Sequence, residues 1–128
     1  LLSSLGNPAA LFGTLNNRWP NHEEPSTYTT TFAASLQEQL SKAVQAGAKY
    51  AAMEVSSHAL AQNRVAGCHF SGAIFTNLSR DHLDYHSSMR EYGKVKESFF
   101  LDNKFKGGVI NVDSKIGQKI FSFKKDYR

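Results

Sequence analysis

A chain of 128 residues, 41% hydrophobic and 20% charged, is long enough for one domain with a real core and too short for two ordinary ones. That balance excludes a disordered chain, and no apolar run approaches the ~20 residues of a membrane helix. The formal net charge of +4 suits phosphorylated small molecules or a plain solvated surface, while no basic stripe interleaved with aromatics marks a nucleic-acid binder. Along the chain, residues 10–14 form a short apolar stretch expected to be a strand. Residues 16–26 (NNRWPNHEEPS) carry turn and loop chemistry, with two prolines. From 32 to 46 apolar residues recur at helical spacing, with Leu36, Leu40 and Val44 on one face. Gly47 then suits a left-handed cap. Residues 50–55 (YAAMEV) read as a buried strand, 56–65 as a short helix and 72–77 (GAIFTN) as a second buried strand. A long helix is expected over 82–100, a third strand over 108–112 and a helix near 116–121.

Alternating strands and helices with continuous apolar strands predict an α/β fold, a mostly parallel sheet flanked by helices. Ligands of such sheets gather beyond the carboxyl ends of the strands. The single Cys68 excludes an internal disulfide and fits a reducing, cytoplasmic setting. The opening LLSSLGNPAALFG lacks a basic segment and a long apolar core, so no secretory leader is expected. Leu1 and Leu2 look like the tail of a helix, and KIFSFKKDYR reaches no closing element. Both ends therefore read as cuts through a larger protein.

The strand ends carry the chemistry. Residues 50–55 deliver Glu54, followed by Ser56, Ser57 and His58. A carboxylate there would ligate Mg²⁺ beside nucleotide phosphates, or equally pair with a lysine or cap the next helix. After the second buried strand, His82 and His86 stand four apart on one helix face. Leu83 occupies the place of the glutamate in H-E-x-x-H, which argues against a zinc hydrolase. Tyr92 and Lys96 are also four apart, and spacing leaves Lys96 either a solvated charge or a functional amine.

Two blocks, MEVSSHALAQNRV and FTNLSRDHLDYHSSMREYGKVK, together with TYTTTFAASLQ upstream and INVDSKIG downstream, resemble the Mur ligase family. The resemblance is to its branch that adds the third residue of the peptidoglycan stem peptide, and it runs over roughly residues 26–120. It implies a P-loop-type central domain. The implied reaction is ATP-dependent joining of meso-diaminopimelate or L-lysine to UDP-N-acetylmuramoyl-L-Ala-D-Glu through an acyl phosphate. Positioning and charge neutralisation dominate such phosphoryl transfer.

Carried over residue by residue, Glu54 and His82 match the family's Mg²⁺ ligands. Lys96 matches the lysine that is carbamylated into a third ligand, a change that requires a neutral amine. Thr29 and Thr30 match a pair that contacts the muramoyl-peptide substrate, and Ser56, Gln62 and Arg64 match further contacts to it. Asn111 and Asp113 fall in a segment similar to one near the nucleotide. Tyr28, Thr31, Ala59 and Ser114 depart from the residues usual at those positions, and Tyr28 puts the detailed contacts around the threonine pair in question. No G-x-x-x-x-G-K-[ST] phosphate loop occurs in the chain. The expectation is thus a fragment, residues 1–128, of a central ATP-binding domain, inactive alone. The phosphate loop and the N-terminal and C-terminal domains would lie outside it. The competing readings are another Mur ligase or folylpolyglutamate synthase relative, or a non-catalytic module binding nucleotide or precursor. A G-K-T-T sequence encoded just upstream of Leu1 would discriminate the latter.

Overall fold

The computed structural model describes residues 2–78, 88–103 and 105–124. They fall into two compact units, Leu1–Gly67 and Cys68–Arg128.

The first unit holds β1 (Ala9–Phe12), β2 (Asn16–Trp19), β3 (His22–Pro25), α1 (Ala33–Gln45), β4 (Tyr50–Met53) and α2 (Ser57–Ala61). Its sheet has the order β3-β2-β1-β4. β1 and β4 are parallel, with Phe12 opposite Met53, whereas β1, β2 and β3 form an antiparallel meander. The segment expected to be loop over residues 16–26 is therefore mostly strand. Its prolines mark the edges: Pro20 lies in the turn and Pro25 ends β3, the outer strand, where a missing N–H costs least. Asn21 completes the turn at φ 63°, a conformation that asparagine tolerates better than most residues.

Alternation in β1 and β2 sends Ala10, Phe12, Asn17 and Trp19 to the buried side. The apolar three join Ala43 of α1 in the core, against Leu40, Ala46, Ala48 and Met53. Asn17 is tolerated among them because its Oδ1 accepts a hydrogen bond from Gly13 N.

Helix α1 buries Leu36 and Ala43, whereas Val44 is 69% exposed. The buried stripe thus runs through position 43 rather than 44. Gly47, at φ 90°, ends the helix in a paired-carbonyl cap. Its N–H donates to Val44 O and that of Ala48 donates to Ala43 O, the geometry of a Schellman motif. Strand β4, expected to be buried, is the terminal strand of this sheet, and Tyr50 is 50% exposed.

The second unit contains β5 (Gly72–Phe75), α3 (Met89–Asp102), β6 (Gly107–Ile110) and α4 (Lys115–Lys124). β5 and β6 pair in parallel. Phe75, Phe100 and Ile120 are its core, packed by Ala73, Leu78, Phe99, Phe105, Ile110 and Ile116. Ile74 and Val109 on the alternate positions are exposed. Helix α3 starts where Ser88 Oγ accepts from Glu91 N, the spacing of a capping box. The helix expected from residue 82 is described from Met89 onward, and residues 79–87 lie outside the described residues. Glu97 of α3 pairs with Lys119 of α4 at 2.7 Å. With parallel strands and covering helices in both units, the α/β expectation holds, and the antiparallel hairpin is an extension of it.

Candidate functional site

In the first unit the site is built at the carboxyl ends of β1 and β4, which the parallel register brings side by side. The backbone N–H of Glu54 donates to Phe12 O, so Glu54 leaves its strand level with Gly13 and Thr14 leaving theirs. Glu54 is exposed, and its Oε2 receives two hydrogen bonds from Thr14, from N at 3.0 Å and from Oγ1 at 2.6 Å. Thr14 Oγ1 also lies 3.1 Å from Thr29 Oγ1. Because the Thr14 proton goes to the carboxylate, which only accepts, the Thr29 hydroxyl is the donor in that contact.

Thr30 is the buried centre of the network, 3% exposed. Its hydroxyl donates to Glu54 O at 2.8 Å and accepts from Ser56 N at 3.1 Å. Ser56 in turn caps α2, its Oγ accepting from Ala59 N. Arg64 closes the arrangement. Its Nη1 donates to Thr30 O at 2.7 Å, while Nε and Nη2 both donate to Gln62 Oε1. The guanidinium lies 4.3 Å from the Phe32 ring centroid and 5.6 Å from that of Tyr28. Those rings meet edge to face, a cation–π seat for a charge that must stay put. Tyr28 therefore serves here as one wall of the arginine's seat.

All six residues expected in this unit, Thr29, Thr30, Glu54, Ser56, Gln62 and Arg64, thus share one hydrogen-bonded network. Thr14 belongs to it too, and Gly13 lies against the Glu54 carboxylate, although the sequence reading passed over both. The available signal was position, since the pair directly follows β1, at the end of the sheet where ligands gather. Arg64 keeps two of its five N–H donors clear of these contacts, the second hydrogens of Nη1 and Nη2.

In the second unit, Lys96 sits half-buried on α3, and burial pushes its ammonium below the ordinary value of 10.5. Asn111 and Asp113 form the turn after β6, where Asn111 Oδ1 accepts from Asp113 N at 2.8 Å. Ser114 Oγ then accepts from Gly117 N at the start of α4. His82 lies outside the described residues.

Among the described residues no three His, Cys, Asp or Glu side chains cluster as a ready cage for a metal. Glu54 nevertheless suits Mg²⁺, a hard ion usually held by one or two carboxylates together with water and phosphate oxygens. Its Oε2 is fixed by Thr14, and Oε1 takes no hydrogen bond among the described residues. No described helix is long and apolar enough to cross a membrane.

The chain is thus an α/β protein whose strand-end threonines, serine and glutamate form one polar network where parallel sheets of this class gather ligands. Residues 1–127 match the model of the Mur ligase middle domain, and the chain belongs to that family. It is 65% identical, over 94% of its length, to a UDP-N-acetylmuramoyl-L-alanyl-D-glutamate–2,6-diaminopimelate ligase of Prochlorococcus marinus strain NATL2A. To the ligase of the same name from Thermosynechococcus vestitus it is 51% identical over 94%. A solved structure of a ligase with that name superposes at TM-score 0.84, with 34% identity over 98% of this chain. The chain spans about a quarter of the length of these relatives, 24% of each of the two curated ligases and 25% of the solved one.

Proposed function

We propose that this chain is a segment of the middle, ATP-binding domain of a cytoplasmic ligase of peptidoglycan precursor synthesis. The ligase joins 2,6-diaminopimelate to UDP-N-acetylmuramoyl-L-alanyl-D-glutamate. In this reading the phosphate loop and the flanking N-terminal and C-terminal domains belong to the rest of that protein. One observation supports the proposal: Glu54 and the Thr29–Thr30 pair, to which the family resemblance gives metal and substrate roles, are tied together through Thr14 and the buried Thr30 hydroxyl. The names of the relatives favour diaminopimelate over lysine.

ATP and Mg²⁺ are the expected cofactors. Glu54, His82 and carbamylated Lys96 would hold the ion, which when bound neutralises charge on the phosphates and the reacting carboxylate. The protein's own groups then have distinct tasks. Burial disfavours the Lys96 ammonium and so promotes the neutral amine that carbamylation needs. Thr29, Thr30, Ser56, Gln62 and Arg64 position the muramoyl-peptide substrate, the two uncommitted N–H donors of Arg64 being suited to an anionic oxygen. Asn111 and Asp113, on the turn after β6, are assigned to the nucleotide side.

The test is chemical rescue in the intact ligase containing this chain. Lys96→Ala should nearly abolish ADP release, and a short carboxylic acid such as acetate should restore part of it by filling the vacated place. Undiminished activity of Lys96→Ala would refute the role given to Lys96.

A further inference from the structure

We propose that the Gly13–Thr14 turn is a positioning device that holds the Glu54 carboxylate in one orientation, with Oε2 engaged and Oε1 presented to the ligand. The inference rests on the reading of Glu54 as a metal ligand and extends it to residues outside the motif blocks. An exposed glutamate at a strand end ordinarily samples several rotamers. Here two donors from one residue converge on a single oxygen, Thr14 N at 3.0 Å and Thr14 Oγ1 at 2.6 Å. The second distance is at the short end of the range for a hydroxyl on an oxygen acceptor.

Gly13 is part of the device. A Cβ built there would stand 3.1 Å from Glu54 Cδ and 3.2 Å from Oε1, so the carboxylate lies over the glycine in space that a side chain would contest. Both residues arrive by register, as Phe12 pairs with Met53 and each strand then releases its next residue at the same level. Thr14 also receives the Thr29 hydroxyl at 3.1 Å. The carboxylate orientation and that of Thr29 are therefore set by the same side chain. Thr14 touches no reacting atom; it acts through Glu54. Outer partners that orient a metal ligand commonly carry about 10- to 100-fold in metal affinity.

The experiment titrates Mn²⁺ alone into the intact ligase containing this chain, with free ion followed by electron paramagnetic resonance. Glu54→Gln serves as the reference for loss of the ligand. Thr14→Val, which keeps shape but removes the hydroxyl, should weaken Mn²⁺ binding about tenfold, whereas Thr14→Ser should restore wild-type affinity. Gly13→Ala should weaken binding in the same direction by displacing the carboxylate. It also supplies an independent readout if Thr14→Val folds poorly. A purely structural role would lower the melting temperature of Thr14→Val without a Thr14→Ser-reversible change in Mn²⁺ affinity. If Glu54→Gln weakens binding but Thr14→Val and Gly13→Ala match wild type, the positioning role is wrong while the reading of Glu54 stands. If Glu54→Gln itself matches wild type, that reading fails and the positioning role with it.

Discussion

Thr30→Val isolates the buried hydroxyl at the centre of the network, since valine keeps the branched shape and loses only the polar atom. Two hydrogen bonds go, to Glu54 O at 2.8 Å and from Ser56 N at 3.1 Å. The carbonyl of exposed Glu54 can recruit water, so its share is small. The Ser56 N–H is left facing a methyl group at a position that is 3% exposed, and an orphaned donor in such a place costs about 2 kcal/mol. Opening of this loop should become easier by that amount, and the Ser56 amide should exchange with solvent about thirtyfold faster. Hydrogen–deuterium exchange of the intact protein, resolved to the Ser56 amide by fragmentation, reads this directly. Thr30→Ser is the control and should keep most of the protection. Unchanged Ser56 exchange in Thr30→Val, or a serine variant as fast as the valine one, would refute the reasoning.

Four further outcomes are expected. Gly117→Ala would drive a Cβ into the backbone oxygen of Asn111, so the turn must shift, and thermal or urea unfolding should show a loss of about 3 kcal/mol. A double-mutant cycle with Glu97→Gln and Lys119→Met should give a coupling of only about 1 kcal/mol, because Glu97 is buried but the Lys119 side chain is 54% exposed. In the uncarbamylated protein Lys96 is held below 10.5 by burial, so the folded state releases that proton before the unfolded chain does. The penalty is full below the lowered pKa and vanishes as pH passes 10.5. Stability should therefore rise with pH across that window, and Lys96→Met should flatten the rise in pH-dependent denaturation. Arg64→Lys replaces a planar fork spanning Thr30 O and Gln62 Oε1 with a point charge. Calorimetry should show binding of UDP-N-acetylmuramoyl-L-Ala-D-Glu weakened about tenfold.

Much of the fold was legible because α1, β4 and β5 obey simple patterns: a helical apolar period, then apolar runs bounded by Gly47 and Gly72. The hairpin was not. Its inward positions are Asn17 and Trp19, and a polar residue at one of them breaks the period-2 signal while Pro20 and Pro25 imitate loop chemistry. Val44 misled for a different reason: Ala43 and Val44 are both apolar, and only packing against β1 decides that the smaller one faces in. The burial expected for β4, and for β5 at every position but Phe75, failed because an apolar run reports what a strand can bury, not what lies beside it. For the site, the strand-end position pointed to Glu54 and Ser56, whereas Thr29, Thr30, Gln62 and Arg64 came only from the resemblance of their motif blocks to the family; the meeting of all six in one network supports that reading. Thr14 was invisible because its importance comes from the register of β1 against β4, a pairing between residues 40 apart.

The central claim is that this chain supplies metal-binding and substrate-positioning groups to a diaminopimelate-adding ligase, with Glu54 at the focus. Its most direct test is ATP-dependent joining of meso-diaminopimelate to UDP-N-acetylmuramoyl-L-Ala-D-Glu by the intact ligase containing this chain, wild type against Glu54→Gln, with product and ADP both quantified. The account predicts stoichiometric product and ADP from the wild type and loss of nearly all turnover in the variant. A wild type that forms no such product, or a Glu54→Gln variant that forms it at the wild-type rate, would contradict it.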